Sequence, residues 1–299
     1  MELQEGKNVI YGDLIYVLNE KDKTASVIDH KCNVSSITIP RYITVNSSIY
    51  TVTSIADRSF IYSRIKSIHI SEFSEIRSIG NDAFFESYIE SIELPSQLID
   101  FKEDWNNGIN FLKEIKVIEN TEKNIKLIDD KFLVGKSDRK SDTFDVLLLA
   151  LRNINDATIP SYIKRIGTCA FQFCVNLNEI KIQKNSELQS IDNSAFYNSS
   201  IKCIEIPSSL IELKKYWCSF IDDKVEFKII KNGEENIKFF NEKFLIGKTD
   251  RKSDIFDILY FTRRDIEEAT IPSFIKRIGS YAFSNCDRLK TVNIPNDSI

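Results

Sequence analysis

The stretch ATIPSYIKRIGTCAFQFC at residues 157–174 recurs as ATIPSFIKRIGSYAFSNC at residues 269–286. The two copies lie 112 residues apart, and the longer windows 124–182 and 236–294 share 33 identities in 59 positions. Identity at a fixed offset indicates that a large unit has been duplicated. Because self-similarity at a fixed period is typical of repeat architectures, the periodicity inside this unit decides the predicted fold.

Short strand-like segments recur along the chain at a basic spacing of 23 or 24 residues, with two steps of 42 and one of 31. In each segment apolar residues flank a polar one, which is the alternation of a strand with one buried face. All six prolines stand at the last position of such a segment, where the chain leaves the sheet. The segments are SITIP (36–40), SIHIS (67–71), SIELP (91–95), EIKVI (114–118), DATIP (156–160), EIKIQ (179–183), CIEIP (203–207), EFKII (226–230), EATIP (268–272) and TVNIP (291–295).

A second motif lies between these segments and combines an isoleucine, a turn-forming residue, a small residue and a phenylalanine. It predicts a tight turn followed by a short helical piece, whose phenylalanine fills the interior. One strand and one short helix per coil is the geometry of leucine-rich repeats, whose cores form by stacking. The fold class is therefore α/β: a strand-rich leucine-rich-repeat solenoid with a parallel concave sheet, short helical or 3-10 convex segments and inserted β-hairpins. The copies are SIADRSF (54–60), SIGNDAF (78–84), RIGTCAF (165–171), SIDNSAF (190–196) and RIGSYAF (277–283).

The run I-P-x-x-I-x-x-I-G-x-x-A-F-x-x-C-x-x-L-x-x-I-x-I-P, most complete at 159–182 and 271–295, resembles the BspA-type leucine-rich repeat. The resemblance covers about residues 37–299. Members of this family are similar in fold across bacterial and protist surface proteins, and they are implicated in adhesion to host cells or matrix. The resemblance therefore implies a cell-surface or secreted location and a host-cell or matrix protein as the partner.

Composition excludes several other classes of function. The net charge is −4, and no basic run is long enough to follow a phosphate backbone, so we expect no nucleic acid partner. No apolar stretch approaches 18 residues, so we expect no membrane insertion. Six cysteines without a CxxC pair, and only two histidines, argue against a disulfide scaffold, a metal site and triad catalysis. We therefore predict that the chain is not an enzyme and that it uses no cofactor.

The longer steps contain the near-identical inserts FLVGKSDRKSDTFDVLLL and FLIGKTDRKSDIFDILYF, in which two apolar strands flank a polar loop. Each predicts a β-hairpin. Glycine is absent five residues before each GK pair, so these loops are not phosphate loops and are expected to be hairpin turns with local pairs. We predict a single solenoid domain over 1–299: a capping hairpin (1–35), repeats (36–123), a hairpin insert (124–155), repeats (156–235), a second insert (236–267) and final repeats (268–299) without a clear C-terminal cap.

The concave face is the usual binding surface of such solenoids. Its central and adjacent columns of polar residues are the candidate partner-binding site, with cross-strand charge pairing on a solvated sheet as the alternative interpretation. Five acids in the adjacent column could attract a basic partner. The candidates are His69, Glu93, Glu114, Lys116, Asp156, Glu179, Lys181, Glu205, Glu226, Lys228 and Glu268.

Two hypotheses for function remain after this reading. The first is a non-enzymatic protein-binding module for cell-surface adhesion and recognition of a host or matrix protein. The second is an intracellular scaffold or inhibitor-like solenoid, favoured by the free cysteines and by an N-terminus without the pattern of a secretory signal, which makes the cytoplasm the alternative location. The uncapped last repeat further predicts end-to-end or C-terminal self-association.

Overall fold

The structure is a computed structural model, and it describes residues 8–221 and 224–295. The chain forms two compact units. Unit 1 comprises Met1–Phe144 with Leu148–Asn153, and unit 2 comprises Asp145–Leu147 with Ile154–Ile299. The division therefore falls inside the first of the two predicted inserts. Whether the chain behaves as the single predicted domain stays a prediction.

Every regular element in the described residues is a β-strand. Unit 1 contains β1 (Asn8–Tyr11), β2 (Leu14–Asn19), β3 (Thr24–His30), β4 (Ser36–Ile39), β5 (Tyr42–Val45), β6 (Ser48–Ile55), β7 (Ser67–Ile70), β8 (Ser78–Ile79), β9 (Ser91–Pro95), β10 (Asp100–Phe101), β11 (Glu114–Ile118), β12 (Ile125–Ile128) and β13 (Phe132–Gly135). Strand β14 (Val146–Ala150) contributes residues to both units. Unit 2 contains β15 (Asp156–Ile159), β16 (Arg165–Ile166), β17 (Glu179–Ile182), β18 (Ser190–Ile191), β19 (Cys203–Pro207), β20 (Glu212–Leu213), β21 (Glu226–Ile230), β22 (Ile237–Phe240), β23 (Phe244–Gly247), β24 (Ile258–Thr262), β25 (Glu268–Thr270), β26 (Arg277–Ile278) and β27 (Thr291–Asn293).

The predicted strand segments form parallel sheets, one coil per strand. In unit 1 the order is β4-β7-β9-β11, and in unit 2 it is β15-β17-β19-β21, with β25 and β27 as a further pair. Apolar residues point inward and polar residues outward, as in β4, where Ile37 and Ile39 are buried while Thr38 is exposed. The parallel sheet and the strand-rich repeat fold are thus confirmed in each unit.

A second parallel sheet lies where each coil turns, and its strands are two residues long except for β6, which has eight. It joins β6, β8 and β10 in unit 1 and β16, β18 and β20 in unit 2. While β10 and β20 hold Asp-Phe and Glu-Leu, the strands β6, β8, β16 and β18 hold the Ser-Ile or Arg-Ile pair that opens the second motif. Their isoleucines, such as Ile79 and Ile191, are buried.

The short helical or 3-10 segments that the sequence predicts after this pair are wrong, because no helix occurs in the described residues. The segments instead form successive turns whose amide groups donate to the neighbouring coil. Phe60 N–H donates to Ala83 O at 2.8 Å, and Tyr62 N–H donates to Phe85 O at 2.9 Å. Positive φ angles at residues such as Arg58 and Tyr62 break any helical path. Lateral bonding between coils therefore replaces bonding within a helix.

Four phenylalanines of the second motif fill the core, as predicted, whereas Phe283 of the last copy is only partly buried. Phe60 and Phe84 are fully buried, with ring centroids 5.7 Å apart in unit 1. In unit 2, Phe171 and Phe196 are equally buried, with centroids 5.5 Å apart. The two tryptophans also lie in the core, one in each unit (Trp105 and Trp217). Cys174 is fully buried and Cys286 partly buried, and both are free thiols.

The second insert forms an antiparallel sheet of three strands rather than a single hairpin. β23 pairs with β24 as predicted, and β22 pairs with the other side of β23. In unit 1, β12 and β13 pair in the same antiparallel way. At the N-terminal end, β1, β2 and β3 form an antiparallel meander, and β3 pairs in parallel with β6. At the other end Val292 and Ile294 are 44% and 62% exposed, and self-association there stays a prediction.

Candidate functional site

The predicted central column of unit 1 lies on the outward face of the sheet β4-β7-β9-β11. His69 stands opposite Thr38 in the ladder, and Lys116 stands opposite Glu93. Glu93 is the centre of this column: the Nζ of Lys116 lies 3.1 Å from its Oε1, and the Nδ1 of His69 lies 3.6 Å from the same atom. The cross-strand charge pairing expected from sequence is thus present here.

Glu93 also has a structural role. Its Oε2 accepts a hydrogen bond of 3.0 Å from the backbone N–H of Ile70. Direct pairing of β7 with β9 stops at Ile68, so this carboxylate satisfies an amide that lies beyond the paired residues. Unit 2 repeats the arrangement, because Glu205 accepts a 3.0 Å hydrogen bond from the N–H of Ile182. Both glutamates therefore belong to the fold as much as to any binding surface.

The ionisation of Glu93 reflects these contacts. Its side chain is 17% exposed, and this desolvation opposes ionisation. The N–H of Ile70 and the ammonium of Lys116 outweigh that effect, with a further contribution from His69, so that the pKa of Glu93 lies below its usual value. Glu93 thus carries a stable negative charge, much of which its neighbours already neutralise.

The predicted column of unit 2 is paired differently. The Nζ of Lys181 lies 3.0 Å from Oε2 of Glu179 on its own strand, and this hydrogen bond raises the pKa of Lys181. Lys228 instead hydrogen-bonds the thiol of Cys203, a contact that raises the pKa of Lys228. Desolvation raises the pKa of that thiol above its ordinary value. Cross-strand charge pairing would join Glu205 to these two lysines, but neither of them forms an ion pair with Glu205 in the described residues.

The acids of the adjacent column remain at the surface. Glu114, Asp156, Glu226 and Glu268 are exposed and Glu179 is partly exposed, each at the first position of its strand. Adjacent strands place Asp156 opposite Glu179 and Cys203 opposite Glu226. Unit 2 therefore presents acids side by side, while in unit 1 only Glu114 occupies this column. Their role in binding stays a prediction.

The two GK loops are turns closed by their own side chains, as expected. Oδ1 of Asp138 accepts from the N–H of Lys140 at 2.9 Å, and Asp250 bonds Lys252 in the same way at 3.0 Å. Because these acids bond backbone amides, neighbouring cations are not paired with them. The Nζ of Lys136 lies instead 5.2 Å from the ring centre of Phe144.

Sequence reasoning missed a groove in unit 1 beside the first of these loops. It is formed by residues of β10, β12 and β14 and by the loop that follows β13, and its volume is about 240 Å³. The basic loop was the only sequence signal, and it does not show which side chains face it. The lining residues are Leu98, Ile99, Phe101, Asn124, Ile125, Gly135, Lys136, Ser137, Arg139 and Leu148.

The described residues contain neither a metal-binding cluster nor a membrane-spanning helix. No group of three or more His, Cys, Asp or Glu side chains there is arranged to hold a metal ion. Over the same residues, no helix of the length and apolarity needed to cross a bilayer is present. Besides the outward strand faces, the unit 1 groove is a candidate binding surface.

The chain belongs to the family of BspA-type leucine-rich repeat regions, whose model matches residues 29–132, 149–244 and 255–299 in six copies. No curated protein matches the chain in sequence. Among solved structures, a leucine-rich cell surface protein from Faecalibacterium prausnitzii is 18% identical with a TM-score of 0.55, covering 96% of this chain and 76% of that one. A leucine-rich repeat protein from Eubacterium ventriosum is 16% identical with a TM-score of 0.50, covering 97% of this chain and 86% of that one. This family and fold are consistent with a protein-interaction module.

Proposed function

We propose that the chain is a non-enzymatic protein-binding module that works at a cell surface, in adhesion to or recognition of a host or matrix protein. The repeat family supports binding of protein, and the likeness to a leucine-rich cell surface protein supports the location. The observation that carries the proposal is the outward strand face, on which charged side chains stay exposed in each unit.

The exposed acids are the part of this face best suited to a basic partner. Glu114 and Glu226 occupy equivalent positions in the two copies, and both stand outside the backbone contacts that involve Glu93 and Glu205. Complementary charge at a surface accelerates association and selects partners more than it stabilises the complex. The face should therefore bind faster at low ionic strength.

Charge reversal tests the face. Glu226→Lys should reduce capture of proteins from host-membrane or matrix extracts, while Glu212→Lys, an equally exposed glutamate on strand β20 of the second sheet, should leave it unchanged. Glu205→Lys is a poor test, because it also removes the acceptor for the N–H of Ile182. Equal loss in both variants would place the binding surface elsewhere.

The location has its own test. Surface biotinylation of cells that express the native protein should label it. Peptides from this chain should then be found in the labelled fraction. Recovery only from the cytosol would support the second candidate, an intracellular scaffold or inhibitor-like solenoid. That candidate is favoured by one observation: all six cysteines are free thiols, as is usual in a reducing compartment.

A further inference from the structure

The groove in unit 1 lies along an unpaired strand edge. Strand β10 pairs with β8 on one side and ends its sheet on the other. One coil earlier, the carbonyls of Arg77 and Ile79 accept hydrogen bonds from the N–H groups of Asp100 and Lys102, at 3.0 and 3.1 Å.

The equivalent carbonyls in β10 itself belong to Ile99 and Phe101, and both residues line the groove. Neither oxygen accepts a hydrogen bond from any residue that the structure describes. An open strand edge can pair with an added strand, whose backbone supplies the missing donors. The groove therefore offers backbone acceptors to an extended peptide.

The rim of the groove is basic. Lys136 and Arg139 both line it, and neither has a carboxylate within ion-pair distance in the described part of the chain. Lys126 adds to this charge, since its Nζ lies 4.5 Å from the centre of the Phe144 ring that Lys136 also approaches. Lys126 and Lys136 project from the same face of the β12–β13 hairpin, where like charges repel.

Two nearby acids do not neutralise this rim, because each pairs with another cation. Glu122 makes two bonds to the guanidinium of Arg77, at 2.8 and 3.0 Å. Asp100 lies 3.1 Å from the Nζ of Lys102. An anion entering the groove would therefore meet cations that are free to pair with it.

The wall of the groove is apolar. Leu148 lies against Gly135, where even a Cβ atom would be in close contact with the leucine side chain. Ile99, Phe101 and Leu148 are each partly exposed, so an apolar group placed on them would bury further surface, at roughly 25 cal/mol per Å².

We propose that this groove binds the carboxyl-terminal residue of a polypeptide whose last side chain is aliphatic. The terminal carboxylate pairs with Lys136 and Arg139, and the backbone N–H groups of the peptide donate to the carbonyls of Ile99 and Phe101. The last side chain lies on Leu148. A volume of about 240 Å³ fits one such residue and its carboxylate rather than a folded domain.

Unit 2 provides an internal comparison. Its equivalent of Leu148 is Tyr260, a buried side chain whose ring lies against Gly247. The basic pair is kept as Lys248 and Arg251. Leu148→Tyr introduces the side chain that the second copy has at the equivalent position. It should therefore fill the unit 1 groove with a residue that this fold accommodates.

The test is fluorescence anisotropy of the full chain with a pool of fluorescein-labelled random hexapeptides that end in leucine with a free carboxylate. The double variant Lys136→Ala/Arg139→Ala should weaken binding by about tenfold or more, and Leu148→Tyr should abolish it. The matched double variant Lys248→Ala/Arg251→Ala should bind as the wild type does. Hydrogen exchange over residues 98–102 should slow when the peptide binds.

Three results would overturn the proposal. Equal binding of the C-terminal amide pool would show that the carboxylate is not recognised. Equal affinity for free N-acetyl-leucine would show that the strand edge contributes nothing, and the occupant would then be a small acid. Absence of binding by the folded wild-type chain would remove the site altogether, while leaving the strand-face proposal untouched, since that depends on Glu226.

Discussion

Two buried arginines at equivalent positions should differ strongly in their response to the same substitution. Arg152 in unit 1 and Arg264 in unit 2 are both 3% exposed. The guanidinium of Arg152 donates from Nε to Ile109 O at 3.0 Å and from Nη1 to Ala150 O at 3.1 Å. We expect Arg152→Met to leave these carbonyls without their donors.

The magnitude follows from those contacts. Each buried carbonyl that loses its donor costs about 1–3 kcal/mol, and removal of a buried charge offsets part of this cost. Methionine is of comparable length and adapts to irregular space, so the packing cost stays small. We therefore expect Arg152→Met to lower the free energy of unfolding of unit 1 by about 2–4 kcal/mol.

Arg264 has much weaker partners. Its Nε is buried without a hydrogen-bond partner in the described residues, and its guanidinium bonds only thiols there: Nη1 reaches Cys286 Sγ at 3.7 Å, and the group also hydrogen-bonds Cys218. Its guanidinium lies 4.5 Å from the ring centre of Phe261, a contact worth about 0.5–2 kcal/mol. Because replacing a poorly partnered buried charge by an apolar side chain is often neutral or stabilising, Arg264→Met should stay within about 1 kcal/mol of wild type or exceed it.

Each unit contains one buried tryptophan, which allows the two effects to be measured separately. In a Trp217→Phe background the fluorescence of Trp105 reports unit 1, and in a Trp105→Phe background Trp217 reports unit 2. Urea unfolding should show a midpoint lowered by roughly 1–3 M for Arg152→Met. Similar losses for Arg152→Met and Arg264→Met would refute the reasoning, since burial alone would then decide the cost.

Three further outcomes are expected. Glu93→Gln should lower the free energy of unfolding by about 1 kcal/mol at neutral pH. In urea unfolding this difference from wild type should shrink as the pH falls below about 4, because a carboxylate with a lowered pKa in the folded state stabilises the fold only while it is ionised. Gly80→Ala should lower the unfolding midpoint more than Gly12→Ala does, because a Cβ at Gly80 meets the backbone of the neighbouring coil, whereas a Cβ at Gly12 meets no other atom and costs only the strain of its left-handed φ of 61°, about 1–2 kcal/mol; equal losses would contradict this. Iodoacetamide at pH 8 should modify the exposed Cys32 well before Cys218, whose burial raises its thiol pKa to about 12. Equal rates of modification in mass spectrometry would contradict that burial.

The sequence predicts most of the strands of the solenoid, because the pattern within each repeat shows which residues face inward. Alternation of apolar and polar residues places Ile37 inward and Thr38 outward, as the structure has them. The turn segments were predicted incorrectly for a physical reason. A small residue followed by phenylalanine is compatible both with a helical turn and with a turn that bonds the next coil. The choice depends on an acceptor in the neighbouring coil, such as Ala83 O for the N–H of Phe60, and the local sequence does not show that acceptor.

The site was harder to predict than the fold. Glu93 looks like a surface charge in sequence, but its carboxylate completes the bonding of Ile70, and that contact depends on where the β7–β9 ladder ends. The groove beside Lys136 depends on the unpaired edge of β10, which no local pattern reveals. Both features arise from contacts between coils, so they become visible only once the coils are stacked.

The duplication itself shows where specificity is to be sought. Several residues that are identical in the two copies bond the backbone in the same way. Asn124 donates to Gln97 O and Asn236 donates to Ser209 O, each at 3.0 Å. Identity between copies therefore follows from the needs of the fold and is weak evidence for binding. Positions that differ between the copies, such as Leu148 and Tyr260, each packed on an equivalent glycine, are free of that constraint. If the two units bind different partners, placing the residue of one copy at the differing position of the other should transfer the preference for that partner. Residues that are identical in the two copies cannot account for such a difference in partner.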